Sequence, residues 1–185
     1  MKNIIKKTTF ISILILFCSL ICSCSFVPRS TIAFPDELKP LYFSTDRPYS
    51  VLSNQLNALF QSMNVPIAKR KSDTLFSIVV SYDHFSYGRP DIVDATLPTC
   101  INYSQVATID IVNNKNDKTI RTRTFTTTQS ITINANQIYT ANANELVKQA
   151  INRRMVTLIY YWLISSNTKA ALHHAIITQT TKHAS

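Results

Sequence analysis

A single glycine, Gly88, stands among 185 residues, and that scarcity removes whole classes of chemistry. Phosphate-cradling loops and the nucleophile elbow each need two or more glycines at fixed spacing. Acids are scarce as well: ten Asp and Glu face nineteen Lys and Arg, a formal charge of +9. The four histidines offer little for catalysis: His84 falls in a strand pattern, and His173, His174 and His183 lie near the C-terminus. Adjacent side chains diverge on a helix and no carboxylate is near, so His173-His174 makes a poor metal pair. Asp83, Asp91 and Asp94 bracket the glycine turn and read as solvated loop acids rather than a catalytic pair. No enzyme, no cofactor and no metal are therefore expected.

The chain also lacks an apolar run long enough to cross a bilayer. Its longest, 10–21 (FISILILFCSLI), falls short of the ~20 residues a spanning helix needs. It does fit a secretory signal core, with Lys2, Lys6 and Lys7 ahead of it. Ile21-Cys22-Ser23-Cys24 follows directly and resembles a lipobox. Cys18, after Phe17, and Cys22, after Ile21, fit that pattern less well. Residues 1–23 are expected to be a signal peptide. Cys24 is expected to carry acyl chains such as palmitate and to hold the protein to a membrane. Ser25 follows, and absence of Asp there implies sorting to the outer membrane in Gram-negative lipoproteins.

Cysteines and charge then bound the exported chain. Two cysteines leave with the signal and Cys24 is acylated, so Cys100 has no intramolecular disulfide partner. It reads as a small half-buried hydrophobe. Cleavage removes three lysines and no acids, lowering the charge from +9 to +6. For an exported chain this basic balance points away from nucleic acid. It points toward anionic lipid, lipopolysaccharide phosphates or an acidic protein surface.

Beyond Cys24, residues 24–40 carry Pro28, Pro35 and Pro40 without periodicity and read as the lipid anchor and an extended tether. At 16 residues past the cysteine it reaches at most ~55 Å, which suits a partner in the same membrane. A short strand is predicted at 41–43. Leu52, Leu56, Leu59, Phe60 and Met63 form one apolar stripe and predict a helix over 48–64, stopped by Pro66. Phe76, Ile78, Val80 and Tyr82 alternate and predict a strand over 74–82. Gly88-Arg89-Pro90 breaks it. A further strand is predicted at 103–112, with Tyr103, Ala107, Ile109 and Ile111 on one face. The turn 113–117 (NNKND) then leads into a threonine-rich strand at 119–133, antiparallel to its predecessor. Asn142 and Glu145 resemble a capping box, and Val147, Ile151, Met155, Leu158 and Trp162 mark the last helix. Past Ser165 the pattern fades, and 166–185 is expected as a flexible tail.

These elements predict one α+β domain over 41–165: a two-layer sandwich, two helices on one face of a mostly antiparallel four-stranded sheet. Three basic groups stand out on it. Lys69-Arg70-Lys71 lies in a loop, Arg121 and Arg123 point to one side of a strand, and Arg153-Arg154 lie on the last helix. Arginine can grip phosphate in bidentate fashion.

The ordered set resembles a known family. Cys24-Ser25-Phe26-Val27-Pro28-Arg29 matches a cysteine, small residue, aromatic, two variable residues and Arg. The short strand 41–43 follows, then Leu52-x-x-x-Leu56-x-x-Leu59 with Asn64-Val65, the long strands, and a helix over 144–164. This is similar to the LPS-assembly lipoprotein LptE family, the small subunit of the outer-membrane lipopolysaccharide translocon. The resemblance implies an outer-membrane lipoprotein seated in the lumen of an LptD-like β-barrel as plug and assembly partner. It would face the periplasm and bind lipopolysaccharide for delivery to the outer leaflet. It also implies a lipopolysaccharide-contacting Arg before the third strand, for which Arg89 is the nearest match. The family's second base, before the last helix, is absent from Tyr139-Thr140-Ala141-Asn142. Arg121, Arg123 and Lys148 are the bases left to complete the grip. The rival expectation is a tethered lipoprotein that regulates a periplasmic cell-wall enzyme.

Overall fold

The computed structural model describes residues 34–88, 99–133 and 141–182. The expected signal peptide, Cys24, Arg89, Asp91, Asp94 and His183 lie outside the described residues. The elements are β1 (Tyr42–Thr45), α1 (Val51–Ser62), β2 (Phe76–Tyr87), β3 (Thr99–Asn113), β4 (Lys118–Ile133), α2 (Ala141–Leu163) and α3 (Ser166–Lys182). Short 3-10 turns lie at Asp36–Leu38 and Lys71–Asp73. Among the described residues no helix is long and apolar enough to cross a membrane.

The folded unit begins earlier than expected. Phe34 and Leu38 are buried in the main core, and the Phe34 and Phe60 rings meet edge-to-face at 6.0 Å. The last residues assigned to the tether are thus part of the domain. Two apolar side chains four residues apart in a proline-flanked segment carry no periodic signal, although together they close the end of the core.

Helix α1 has explicit signals at both ends. The Ser53 N–H donates to Ser50 Oγ (3.1 Å), a cap worth about 1 kcal/mol. At the other end Asn64 takes a left-handed conformation (φ 53°). The Asn64 N–H donates to the Gln61 carbonyl and the Val65 N–H to the Phe60 carbonyl, each at 3.0 Å. That pair of bonds is a Schellman closure, with buried Val65 and Phe60 as its apolar contact. Asn64 therefore ends the helix, and Pro66 only follows two residues later.

The sheet runs β1-β2-β3-β4, with β1 parallel to β2 and the other two pairings antiparallel. It is a mixed sheet, because a parallel pair needs a crossover and α1 lies between β1 and β2. Phe76, Ile78 and Val80 pair with Asn113, Ile111 and Ile109; past an irregularity at Ser81, Asp83, Phe85 and Tyr87 pair with Ala107, Gln105 and Tyr103. The extra residue shifts the buried phase from even to odd numbers. Tyr82, expected beside Val80, is instead 51% exposed.

The buried strand residues join Leu52, Leu56 and Phe60 of α1, Met155, Ile159 and Trp162 of α2 and Leu172 of α3 in one apolar cluster. A smaller cluster of Ile101, Tyr103, Val147 and Ile151 sits toward the far end of β3. Along α2 the buried ridge is Val147, Ile151, Met155 and Ile159, then Trp162, while the predicted Leu158 is 39% exposed. Steps of four keep Ile159 on the ridge, and Leu158 falls about 100° off it. Ile159→Ala is expected to cost about 2–5 kcal/mol, and Leu158→Ala under about 1 kcal/mol. Urea midpoints for the two variants measure this, and equal midpoints would return Leu158 to the core.

A third helix replaces the expected tail. The Thr168 N–H donates to Ser165 Oγ (3.3 Å), and Thr168 Oγ1 donates to the Trp162 carbonyl (2.7 Å). The chain thus turns at Ser165 and restarts as α3, burying Thr168 and Leu172. The apolar positions of α3 are few, so its helical character rests on contacts that sequence periodicity does not register. Cys100 is likewise corrected: it is exposed on β3.

Candidate functional site

The long strands present two different sides. On β4, Phe125 and Thr127 are buried, whereas Thr122, Thr124, Thr126 and Thr128 between and beside them are exposed. The four threonines pair across to Asp110, Thr108, Val106 and Ser104 of β3. Thr108 and Thr124 share a hydroxyl hydrogen bond of 2.9 Å. Strict period-two alternation places these side chains on one side, and β-branched threonine suits an extended backbone. The result is a long, polar and nearly uncharged face.

The bases divide by what holds them. Arg121 is half-buried; its Nη1 donates to Thr168 Oγ1 (3.0 Å) and its guanidinium lies 5.7 Å from the Trp162 ring centre. It fastens β4 to the junction between α2 and α3. Arg123, two residues on, is exposed and lies over the Phe125 ring at 5.1 Å, with no ion pair among the described residues. Arg70 contacts Asp73 at 3.7 Å and Lys71 pairs with Asp117, so the loop cluster is partly neutralised. Such exposed pairs contribute about 0–1 kcal/mol each. Arg153 and Arg154 are exposed on α2. Lys148 sits 5.7 Å over the Phe85 ring and 3.8 Å from Glu145. Lys148 shares a cleft with Arg47, a base the sequence reading did not single out.

That cleft contains residues the sequence reading passed over. Gln105 is buried at a core-facing position between Tyr103 and Ala107, bonded to Asp83 (3.0 Å) and Asn152 (2.9 Å). The signal was available: a glutamine in the same phase as Tyr103, Ala107, Ile109 and Ile111. Its Oε1 is buried without a hydrogen-bond partner among the described residues, an arrangement that costs about 1–3 kcal/mol. His84 lies exposed on β2, and His173 and His174 lie exposed on α3. No group of three or more His, Cys, Asp or Glu suited to a metal occurs among the described residues.

The sequence matches no protein-family model and no curated protein. Solved structures do match. A minor lipoprotein from Acinetobacter baumannii aligns at TM-score 0.52 and 17% identity, over 67% of this chain and 89% of that one. A lipoprotein B from Nitrosomonas europaea aligns at TM-score 0.54 and 11% identity, over 74% and 88%. The fold is shared with bacterial lipoproteins. At these identities the likeness is one of fold, and it covers most of each lipoprotein's length.

Proposed function

We propose that this chain is the small, non-catalytic lipoprotein subunit of an outer-membrane lipopolysaccharide translocon. In this reading acylated Cys24 anchors it to the outer membrane, and its domain plugs and helps assemble an LptD-like β-barrel. It faces the periplasm and the barrel lumen, where it receives lipopolysaccharide. The exposed threonine face of β4 is the observation that carries the proposal. A barrel lumen is polar, and hydroxyls that already bond within the face lose little on leaving water, unlike lysine or glutamate. The shared lipoprotein fold and the ordered motif resemblance support the same reading.

Within it, Arg123 and Arg89 are the lipopolysaccharide contacts. Arg121 drops out because Thr168 and Trp162 already engage its guanidinium. Arg123→Glu is expected to weaken lipopolysaccharide binding about tenfold or more, the size of one charge-assisted hydrogen bond. Surface plasmon resonance on immobilised lipopolysaccharide reads it, and an unchanged affinity would remove Arg123 from the site.

The deciding experiment is a mild-detergent pull-down of the tagged lipoprotein from its own membrane, followed by mass spectrometry. A stoichiometric large β-barrel protein is expected, and Thr124→Glu with Thr126→Glu should release it. Recovery of a cell-wall synthase, or of no partner, would overturn the translocon reading.

A further inference from the structure

The outer strands of the sheet are β1 and β4, since the order is β1-β2-β3-β4. Strand β1 is four residues long and offers little to pair with. Strand β4 runs 16 residues, and among the described residues only β3 pairs with it. A long open edge is a template for another strand, and folded proteins guard it with charge, proline, irregularities or a covering element. The first part of β4 is guarded in this way. It carries Lys118, Arg121 and Arg123, the ladder skips Ile120, and Arg121 is bonded to Thr168 of α3. The remainder, 124–133 (TFTTTQSITI), has no charge, no proline and no glycine.

Two hydrogen bonds fix which backbone groups that edge offers. The Gly88 N–H donates to the Asn102 carbonyl and the Asn114 N–H to the Leu75 carbonyl, both at 2.9 Å. Even-numbered residues of β3 thus turn their backbone polar groups toward β2, and odd-numbered ones toward β4. Odd residues of β3 pair with odd residues of β4, from Ile101 with Ile131 to Ala107 with Phe125. The N–H and C=O groups of Thr124, Thr126, Thr128, Ser130 and Thr132 therefore point outward, with no strand beside them among the described residues.

The complement of this edge is the edge itself. Antiparallel self-pairing about a two-fold axis at Thr128 sets Thr128 against Thr128, Thr126 against Ser130 and Thr124 against Thr132. All of these carry outward backbone groups. Side chains stay on their own faces: hydroxyls meet hydroxyls on one, and Phe125 meets Ile131 on the other. The latter is a favourable cross-strand pair at the closer, non-hydrogen-bonded spacing. Arg123 falls opposite Ile133 and Arg121 beyond it, so no base of one copy faces a base of the other. A parallel in-register pairing would instead stack the bases on one another. We infer that β4 is a dimerisation edge, joining two copies of this chain through residues 124–132 into one continuous sheet. The inference goes beyond the translocon reading and is independent of it, needing neither barrel nor lipopolysaccharide.

The test uses the full mature chain in mild detergent. Thr128→Cys, made with Cys100→Ser, brings two thiols onto the axis, where hydrogen-bonded partners lie ~5.5 Å apart between Cα atoms, within disulfide reach. Thr126→Cys in the same background leaves its two copies ~14 Å apart along the strands, and Thr122→Cys farther still. Mild oxidation should give a covalent dimer at least tenfold faster at position 128 than at 126 or 122. Thr128→Pro removes only an outward N–H, which an edge strand tolerates, so the domain should keep its fold. It should weaken dimerisation about tenfold or more, read by sedimentation in density-matched detergent. Equal cross-linking at the three positions, or a chain that sediments as a monomer at every concentration, would overturn the proposal. So would a dimer that Thr128→Pro leaves intact. A monomer whose Thr128→Pro variant loses the barrel protein in the pull-down would give the edge to a barrel strand instead.

Discussion

A Cys24→Ser chain should incorporate no fatty acid and should leave the membrane fraction. The expectation rests on the apolar run 10–21 and the spacing Ile21-Cys22-Ser23-Cys24, and among the described residues no helix is long and apolar enough to cross a membrane. One acyl chain gives only marginal and reversible membrane binding, so stable anchoring needs two or more chains on the same residue or a second signal. In the proposed reading Cys24 carries those chains, so its substitution should change the outcome from retention to release, far more than any surface substitution. Metabolic labelling with a palmitate analogue and fractionation of the cells measure both halves. Label that survives the substitution would move the modification to Cys22 or Cys18. Retention without label would mean that a membrane-embedded partner holds the chain, which the pull-down would identify.

Leu172→Ala carries the second large effect. Leu172 is fully buried in the main cluster, on a helix that sequence periodicity alone leaves as a tail. Truncating a buried leucine costs about 2–5 kcal/mol. For a domain of this size that lowers Tm by roughly 5–15 °C. Deleting 166–185 should cost more, because it also strips Arg121 of Thr168 and uncovers Trp162, whose carbonyl Thr168 holds. Thermal unfolding followed by circular dichroism reads both variants. A Tm unchanged by either would mean that α3 contributes nothing to the fold and that the segment is dispensable.

These two experiments probe different kinds of information. Local signals announce themselves in the sequence. The apolar stripe Leu52-Leu56-Leu59 marks α1, period-two runs mark the long strands, and the 113–117 cluster turns β3 into β4 through Asn113 and Asn116 side chains that accept the Lys115 and Lys118 N–H groups. Each depends on neighbours within a few residues. The parallel pairing of β1 with β2, the phase shift at Ser81 and the docking of α3 depend on partners tens of residues away. No window of sequence holds both halves of such a contact.

The functional groups divide along the same line. Arg121 and Arg123 are equivalent in sequence, two residues apart on one side of a strand. Only the arrival of Thr168 and Trp162 makes the first a fastener and leaves the second accessible. Gln105, Asp83 and Asn152 come from two strands and a helix; Asp83, which reads as a solvated loop acid, is instead half-buried on β2 and accepts from Gln105. What the sequence determined by itself was the α+β class, the two amphipathic helices and the threonine face, because each follows from composition or short-range period. The mixed sheet order, the third helix, the division of the arginines and the polar cleft were decided only by tertiary structure. Burial, and with it the fate of every polar group, is a property of what packs on a residue rather than of the residue itself.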